Sequence, residues 1–213
     1  MELPPVLNDG IRVTVAGRTG TGKTTLARYL LERSPQHWFI INPKHTEGYK
    51  KLPGVVILHD LKESELRKAI QRSKYVLLNI SGADATPDAI DSLIGWVHDN
   101  YRGVGICVDE LYTAHASSGR AGPGLVGVLT RGRELKQSFL GLTQRPVWVS
   151  RFVWSEADCI ISMDLTLESD RDVLVEHTGQ PEFEDRIMHH RWLAYSVPDD
   201  KLELFNPVPL PGG

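Results

Sequence analysis

The feature that most constrains this chain is a glycine-rich loop set between an apolar strand pattern and a helical pattern. Residues 11–16 read IRVTVA, residues 17–24 read GRTGTGKT, and a helical pattern continues from Thr24 to Arg33. The loop fits the pattern G-x-x-x-x-G-K-[ST] and has the strand before it and the helix after it that this pattern requires. The sequence therefore predicts a phosphate-binding loop (P-loop) at the start of an α/β domain.

Each part of the loop has an expected contact with a nucleotide. Glycines let backbone N–H groups point at phosphate oxygens, and the N-terminus of the following helix adds partial positive charge. The ammonium of Lys23 is expected to reach the β- and γ-phosphates, and the hydroxyl of Thr24 is expected to hold Mg²⁺. The expected cofactors are therefore ATP and Mg²⁺. The predicted nucleotide contacts are Gly17, Thr19, Gly20, Thr21, Gly22, Lys23, Thr24 and Thr25.

The rest of the chain alternates short apolar runs with helical patterns. Strands are predicted at 11–16, 37–41, 55–58, 74–79, 104–108, 138–143, 158–162 and 192–196. Most of them are almost continuously apolar, as strands covered on both faces are. A capping box of Asp60 and Glu63 is expected to start one helix, and Thr86-Pro87 another. This alternation predicts an α/β fold, a three-layer P-loop NTPase (RecA-like/ASCE) with a mainly parallel central sheet.

Length and composition indicate one globular domain with short extensions. The chain has 213 residues, and its hydrophobic and charged fractions are ordinary for a soluble protein. We expect an N-terminal arm over 1–10, an ATPase domain over 11–197 and a proline-rich tail over 198–213. No apolar run approaches the ~18 residues that span a bilayer, and no signal peptide is recognisable, so a cytoplasmic location without a membrane partner is expected. A net charge of −3 argues against nucleic-acid binding by overall positive charge.

Two acids follow the apolar run 104–108, at the strand end where the P-loop also begins. Asp109 is expected to bind Mg²⁺ through water. Glu110 can orient or deprotonate the water that attacks a γ-phosphate, which favours hydrolysis over transfer to another acceptor. The alternative interpretation is that Glu110 is an acid that faces solvent at the strand end.

A neutral amide, Gln144, follows the predicted strand 138–143. If this strand is parallel to the first, Gln144 lies beside the nucleotide, where its amide can bond both a phosphate oxygen and the attacking water. The alternative interpretation is an ordinary polar residue at a strand end. The sequence thus predicts Gln144 as a sensor of the γ-phosphate.

Two arginines precede the same strand and are expected near the opposite edge of the sheet. A strand of six or seven residues separates Arg133 from Gln144 by roughly 20 Å, which is beyond the reach of an arginine side chain. Arg133 is therefore suited to reach the γ-phosphate of a neighbouring subunit. Such an arginine is called an arginine finger. Arg131 and Arg133 are two residues apart at a predicted helix end and so point in different directions, and only one of them is expected to be the finger. Between 111 and 125 a loop of small residues carries Arg120; it is expected to be either a mobile loop or a plain connection.

The segment RGRELKQSFLGLTQRP resembles the arginine-then-TQRP segment of the FtsK–HerA superfamily of ring-forming, DNA-translocating ATPases. The P-loop and the hydrophobic strand ending in Asp-Glu follow in that family's order, and the resemblance covers about residues 11–165. Given its small size, the chain is most similar to the genome-packaging ATPases of double-stranded DNA viruses and phages. The resemblance implies that Arg133 is the trans-acting finger and Gln144 the polar sensor. The segment INPKHTEG resembles the family's strand-Asp-Pro-Lys segment, with Asn42 in place of the acid.

The resemblance implies an ATPase that forms a homo-oligomeric ring, pentameric or hexameric, and translocates or packages double-stranded DNA. A viral portal or capsid is then a further partner, and the protein is in the host cytoplasm or on a procapsid. One alternative is a P-loop ATPase of a conjugation, plasmid or secretion system. A less favoured alternative is a P-loop kinase with Arg131 and Arg133 as lid residues, against which Glu110 and the TQRP segment count.

Overall fold

The computed structural model describes residues 4–114 and 120–209. The described strands are β1 (Arg12–Ala16), β2 (His37–Ile41), β3 (Val56–Leu58), β4 (Tyr75–Leu78), β5 (Val104–Val108), β6 (Phe139–Thr143), β7 (Cys159–Ser162), β8 (Trp192–Ser196) and β9 (Lys201–Phe205). The described α-helices are α1 (Lys23–Arg33), α2 (Glu63–Arg72), α3 (Pro87–Asn100), α4 (Pro123–Arg131), α5 (Arg151–Ser155) and α6 (Glu168–Thr178). Strands and helices alternate along most of the chain, as the sequence predicts.

The strands form one sheet with the order β3-β4-β2-β5-β6-β1-β7-β8-β9. All pairs from β3 to β7 are parallel, whereas β7–β8 and β8–β9 are antiparallel. Because β6 lies between β5 and β1, the carboxyl ends of these three parallel strands are adjacent. The predicted α/β fold with a mainly parallel central sheet is confirmed.

Alternate residues of the central strands point to opposite faces of the sheet and build two apolar cores. In β2, Phe39 packs into the core that contains Ile90 and Ile94 of α3, and Trp38 packs into the core that contains Leu26 of α1. All five side chains are fully buried. Helices thus cover both faces, which explains why the strands read as continuous apolar runs.

One predicted helix start is confirmed and another is wrong. Thr86 caps α3, since its Oγ1 accepts a hydrogen bond from the N–H of Ala89, and Pro87 occupies the first helical turn. The predicted capping box before α2 does not form. The carboxylate of Asp60 accepts instead from the N–H of Lys62 at 3.2 Å, a local turn that competes with helix capping, and α2 begins at Glu63.

The predicted proline-rich tail from residue 198 is wrong over its first part, because Lys201–Phe205 form β9, antiparallel to β8. This strand lies at the edge of the sheet, so its polar residues can face solvent and its sequence lacks the apolar run of the inner strands. The arm predicted over 1–10 also contributes to the domain, since Leu7 is fully buried in the core.

Three remaining features bear on the sequence predictions. The predicted loop between 111 and 125 contains residues 115–119, which lie outside the described residues, while Arg120 is exposed. Cys107 and Cys159 are buried free thiols. In the described part of the chain no helix has the length and apolar character needed to cross a membrane.

Candidate functional site

The P-loop begins directly after β1, and its shape depends on its glycines, as Gly17 and Gly22 show. A Cβ at Gly17 would lie 2.8 Å from Thr21 Oγ1 and 2.9 Å from Met163 Cβ, so a larger residue does not fit there. Gly22 immediately precedes α1 with φ 99°, in the left-handed region that glycine adopts without strain. The loop therefore turns tightly onto the N-terminus of α1.

Lys23, the first residue of α1, extends back over the loop. Its Nζ donates hydrogen bonds to the carbonyl oxygens of Gly17 at 2.6 Å and Arg18 at 3.1 Å. Burial lowers the pKa of Lys23 to about 8, although the charges of Glu110 and Asp109 act in the opposite direction. Lys23 thus lies over the P-loop, and its contact with phosphates stays a prediction.

The outer side of the P-loop is fixed by an ion-pair cluster that sequence reasoning missed. The carboxylate of Asp164, just beyond β7, accepts from Arg18 Nε at 2.6 Å and from Arg186 Nη2 at 2.7 Å. The N–H of Arg18 also donates to the Asp164 carbonyl at 2.9 Å. The hydrogen bonds from Arg186, and after them the side-chain hydrogen bond from Arg18, hold the pKa of Asp164 below its ordinary value. Arg18 lies in the P-loop motif at a position where the motif allows any residue, and neither Asp164 nor Arg186 lies in a recognisable motif.

Asp109 lies at the end of β5 and its two carboxylate oxygens are each hydrogen-bonded. Tyr49 Oη donates to Oδ1 and Thr46 Oγ1 donates to Oδ2, both at 2.7 Å. Burial raises the pKa of Asp109, and the two hydroxyl donors oppose this effect. Tyr49 and Thr46 follow β2, which is next to β5 in the sheet, so they reach Asp109 from the neighbouring strand.

Glu110 is fully buried, so the interpretation of it as a solvent-facing acid is wrong. Its Oε2 forms an ion pair with Lys44 Nζ. Its Oε1 accepts from the N–H of Gln144 at 3.2 Å and from Thr143 Oγ1 at 3.4 Å. A buried carboxylate needs such partners, and here they fix its orientation toward the end of β6.

Gln144 is joined to the P-loop through its side chain. Its Oε1 accepts a hydrogen bond of 2.7 Å from the hydroxyl of Thr19. The parallel pairing of β6 with β1 brings the two residues together, as the sequence-based geometry required. Asn42 has a structural contact instead, because its amide bonds Asn79 Oδ1 at 2.7 Å and the N–H of Thr46 at 2.9 Å.

A cavity of about 690 Å³ lies beside the P-loop. Of the predicted loop contacts, all except Gly17 line it: Thr19, Gly20, Thr21, Gly22, Lys23, Thr24 and Thr25. Asp109, Gln144 and Lys44 line it as well, while Trp192 and Val208 form part of its wall from the C-terminal region. Its volume is in the range of small-molecule sites.

Arg133 lies away from this cavity. It is in the turn after α4, not on the helix end as predicted, and its backbone lies against Gly10 before β1. Five residues of β1, or roughly 17 Å, separate that level from the P-loop. The guanidinium of Arg133 is exposed and forms an ion pair with Asp158, which also binds Arg12 Nη2 at 2.9 Å. Arg131, the last residue of α4, is exposed.

A tight glycine loop on a helix N-terminus, with acids at the end of a nearby parallel strand, defines a class of protein. The chain is a P-loop NTPase. In this class the nucleotide phosphates lie on the loop and the acids act on the metal and the attacking water.

Comparison with known proteins gives the family context. No family model matches the chain. The DNA packaging ATPase P9 of Enterobacteria phage PRD1 is 29% identical over 170 residues, which are 78% of this chain and 70% of that protein. The genome packaging NTPase B204 of Sulfolobus turreted icosahedral virus 2, in complex with AMPPCP, superposes with a TM-score of 0.74 at 18% identity, over 95% of this chain and 100% of that chain. VirB4 of Thermoanaerobacter pseudethanolicus has a TM-score of 0.67 at 11% identity, over 94% and 90% of the two chains. The predicted resemblance to the FtsK–HerA superfamily, and within it to the genome-packaging ATPases, is confirmed.

Proposed function

We propose that this chain is the ATP-hydrolysing subunit of a homo-oligomeric ring, pentameric or hexameric, that packages double-stranded DNA into a viral particle. The observation that carries the proposal is the division of the site between the two ends of the parallel strands. The P-loop, Glu110 and Gln144 meet at the carboxyl ends of the strands, whereas Arg133 lies at their amino ends. A second copy of the chain can supply the missing arginine. The relatives named as DNA-packaging ATPases support DNA as the substrate and a capsid as the partner.

The residues present fit Mg²⁺ bound with the nucleotide. Mg²⁺ prefers oxygen ligands and keeps several waters, and the cavity offers the hydroxyl of Thr24 and the carboxylate of Asp109. Since both oxygens of Asp109 already accept hydrogen bonds, we assign it contact through water. When bound, the ion neutralises charge on the β- and γ-phosphates. The phosphates also give Lys23 anionic partners in place of the Gly17 and Arg18 carbonyls.

We assign to Glu110 the role of base for the attacking water. The ammonium of Lys44 compensates its buried charge, and the N–H of Gln144 fixes one oxygen. Gln144 in turn contacts Thr19 on the P-loop, so a change in the phosphates on the loop can be transmitted to the base. Hydrolysis, not transfer to an acceptor, is the reaction that this arrangement supports.

The direct test combines ATP hydrolysis assays with particle images. We expect duplex DNA to stimulate hydrolysis and an ATP analogue with duplex DNA to give closed rings around the DNA. Rings whose hydrolysis does not respond to DNA would favour the alternative of an ATPase of a conjugation, plasmid or secretion system. Monomers that phosphorylate an acceptor would favour the kinase alternative.

Binding to DNA should be insensitive to base sequence and should weaken steeply with salt. A motor that moves along DNA contacts the backbone phosphates, whose counterions are released on binding. Arg120, which is exposed beside the undescribed residues 115–119, is our candidate contact. Arg120→Ala should make the negative slope of log affinity against log salt less steep by about one unit. Competition between unrelated duplexes at fixed salt checks the prediction, and strong discrimination between them would contradict it.

The affinity for an ATP analogue should fall about tenfold between pH 7 and pH 9. The pKa of Lys23 is about 8, so its ammonium is charged in the free protein below this pH and loses its proton above it. Anionic phosphates bind the charged form, and binding therefore weakens as pH rises through 8. Equilibrium titration at several pH values measures the effect. Lys23→Arg, whose guanidinium stays charged over this pH range, is the control and should lack this step, and a flat profile for the unmodified protein would contradict the role of Lys23.

A further inference from the structure

The cavity beside the P-loop continues into an apolar end to which the roles above assign no function. Trp192 at the start of β8, and Pro207 and Val208 shortly after β9, line this end. Met163, which follows β7, lies beside them, and a Cβ at Gly22 would be 3.5 Å from its Cε. Together Met163, Trp192, Pro207 and Val208 form what we call the base slot.

The sheet topology places the base slot opposite the hydrolytic residues. β5 and β6, which carry Asp109 and Gln144, lie on one side of β1, whereas β7, β8 and β9 lie on the other. Because β8 runs antiparallel, its first residue, Trp192, lies at the edge where the parallel strands end. β9 reverses again, so its last residue, Phe205, pairs with Trp192 at the same edge. The P-loop therefore has polar catalytic groups on one side and an apolar wall on the other.

Specific contacts hold this wall in place. The rings of Trp192 and Phe205 stack with centroids 4.3 Å apart and an interplanar angle of 16°. Trp192 Nε1 donates a hydrogen bond of 3.0 Å to the carbonyl of Asn206, which fixes the course of the chain toward Val208. Val208 is partly buried and packs against the core on this face of the sheet. At the rim, the ring of His190 bonds the carbonyl of Thr21 at 3.0 Å.

We propose that the base slot holds the nucleobase of ATP, an inference that rests on the proposed function. The P-loop and Lys23 fix the phosphates, so the rest of the nucleotide extends either toward the hydrolytic residues or toward the slot. The hydrolytic side is occupied by the Lys44–Glu110 ion pair and the Thr19–Gln144 hydrogen bond. A nucleobase is flat, with apolar faces, and is stabilised by burial against aliphatic and aromatic groups. The C-terminal segment after β9 is thereby part of the nucleotide site.

Comparing the binding of ATP with that of tripolyphosphate, each with Mg²⁺, separates the contribution of the nucleobase from that of the phosphates. Val208→Asn removes apolar contact without adding charge, so it should weaken ATP binding about five- to tenfold and leave tripolyphosphate binding unchanged. Val197→Asn is the matched control, since Val197 is an exposed valine in the turn between β8 and β9 and should change neither affinity. Equal weakening of both ligands by Val208→Asn, or no weakening of ATP, would overturn the base slot.

Tryptophan fluorescence gives a second readout that does not depend on the Val208 variant. ATP should alter the emission of the protein in a way that tripolyphosphate does not, and Trp192→Phe should remove this ATP-specific difference. An ATP-specific signal that persists in Trp192→Phe would place the nucleobase outside the base slot. Failure of the unmodified protein to bind either ligand would instead overturn the proposed function as an ATPase, so the two failures are distinguishable.

Discussion

Mixing subunits that carry Lys23→Ala with subunits that carry Arg133→Ala is expected to restore ATP hydrolysis that neither variant performs alone. The first variant lacks its phosphate contact but still offers Arg133. The second binds ATP but has no finger to offer, and its turnover alone should fall by roughly 10³- to 10⁵-fold. In a random 1:1 mixture, about one quarter of the ring interfaces combine an intact P-loop with an intact Arg133. Steady-state hydrolysis at several mixing ratios measures the recovery.

Asp158 allows a stricter version of the experiment. Its carboxylate holds the guanidinium of Arg133 and also binds Arg12, so Asp158→Asn should leave the finger poorly positioned. This variant should recover activity when mixed with Lys23→Ala, which offers an intact finger, but not when mixed with Arg133→Ala. Glu156→Gln is the matched control, because it removes another carboxylate partner of Arg12 without touching Arg133. A variant that merely folds badly would recover with neither partner.

Arg131→Ala controls for the loss of a nearby positive charge and should be milder than Arg133→Ala, because Arg131 lies on the helix end and not beside Asp158. If mixed rings demonstrably assemble and remain as inactive as each variant alone, the trans assignment is wrong. Arg133 would then have a cis role or a structural role through Asp158.

Replacing Glu110 by glutamine should leave ATP binding intact and slow hydrolysis by about 10²- to 10⁴-fold. Glutamine keeps the shape of the side chain and an oxygen that can accept from the N–H of Gln144, but it cannot take a proton from water. Lys23→Ala should instead lose binding, since it removes the charge that faces the phosphates. Equilibrium binding of a labelled ATP analogue, followed by single-turnover hydrolysis, separates the two effects.

Glu134→Gln serves as the control for this prediction, because Glu134 is an exposed acid in the turn that holds Arg133, at the other edge of the sheet. It should change neither binding nor the hydrolytic step at an intact site. If Glu110→Gln and Lys23→Ala lose binding equally, the role of Glu110 as a base is refuted, and its ion pair with Lys44 would be a requirement for the shape of the site.

The central part of the site could be predicted from sequence because it depends only on strand direction. A glycine loop after β1, the acids after β5 and Gln144 after β6 must meet if the three strands are parallel and close together. The contacts of Lys44 and Tyr49 could not be derived, because they depend on β2 being the neighbour of β5. Local patterns do not encode which strands are adjacent.

The C-terminal wall was missed for a different reason. β9 is a short edge strand in which no residue is fully buried, and the prolines after it suggested a tail outside the domain. What makes this segment part of the fold is the stacking of Phe205 on Trp192 in the neighbouring strand. Aromatic pairing between strands becomes visible only when their register is known.

The distance between Arg133 and its own P-loop has a consequence for subunits that have not yet assembled. On the proposed assignment, a free subunit can bind ATP but has no arginine finger with which to hydrolyse it. Its own Arg133 is held by Asp158 at the amino ends of the strands, away from the P-loop. Subunits that have not assembled would then bind ATP without hydrolysing it. Subunits would join the ring with ATP already bound, and assembly of the ring would be required for its hydrolysis.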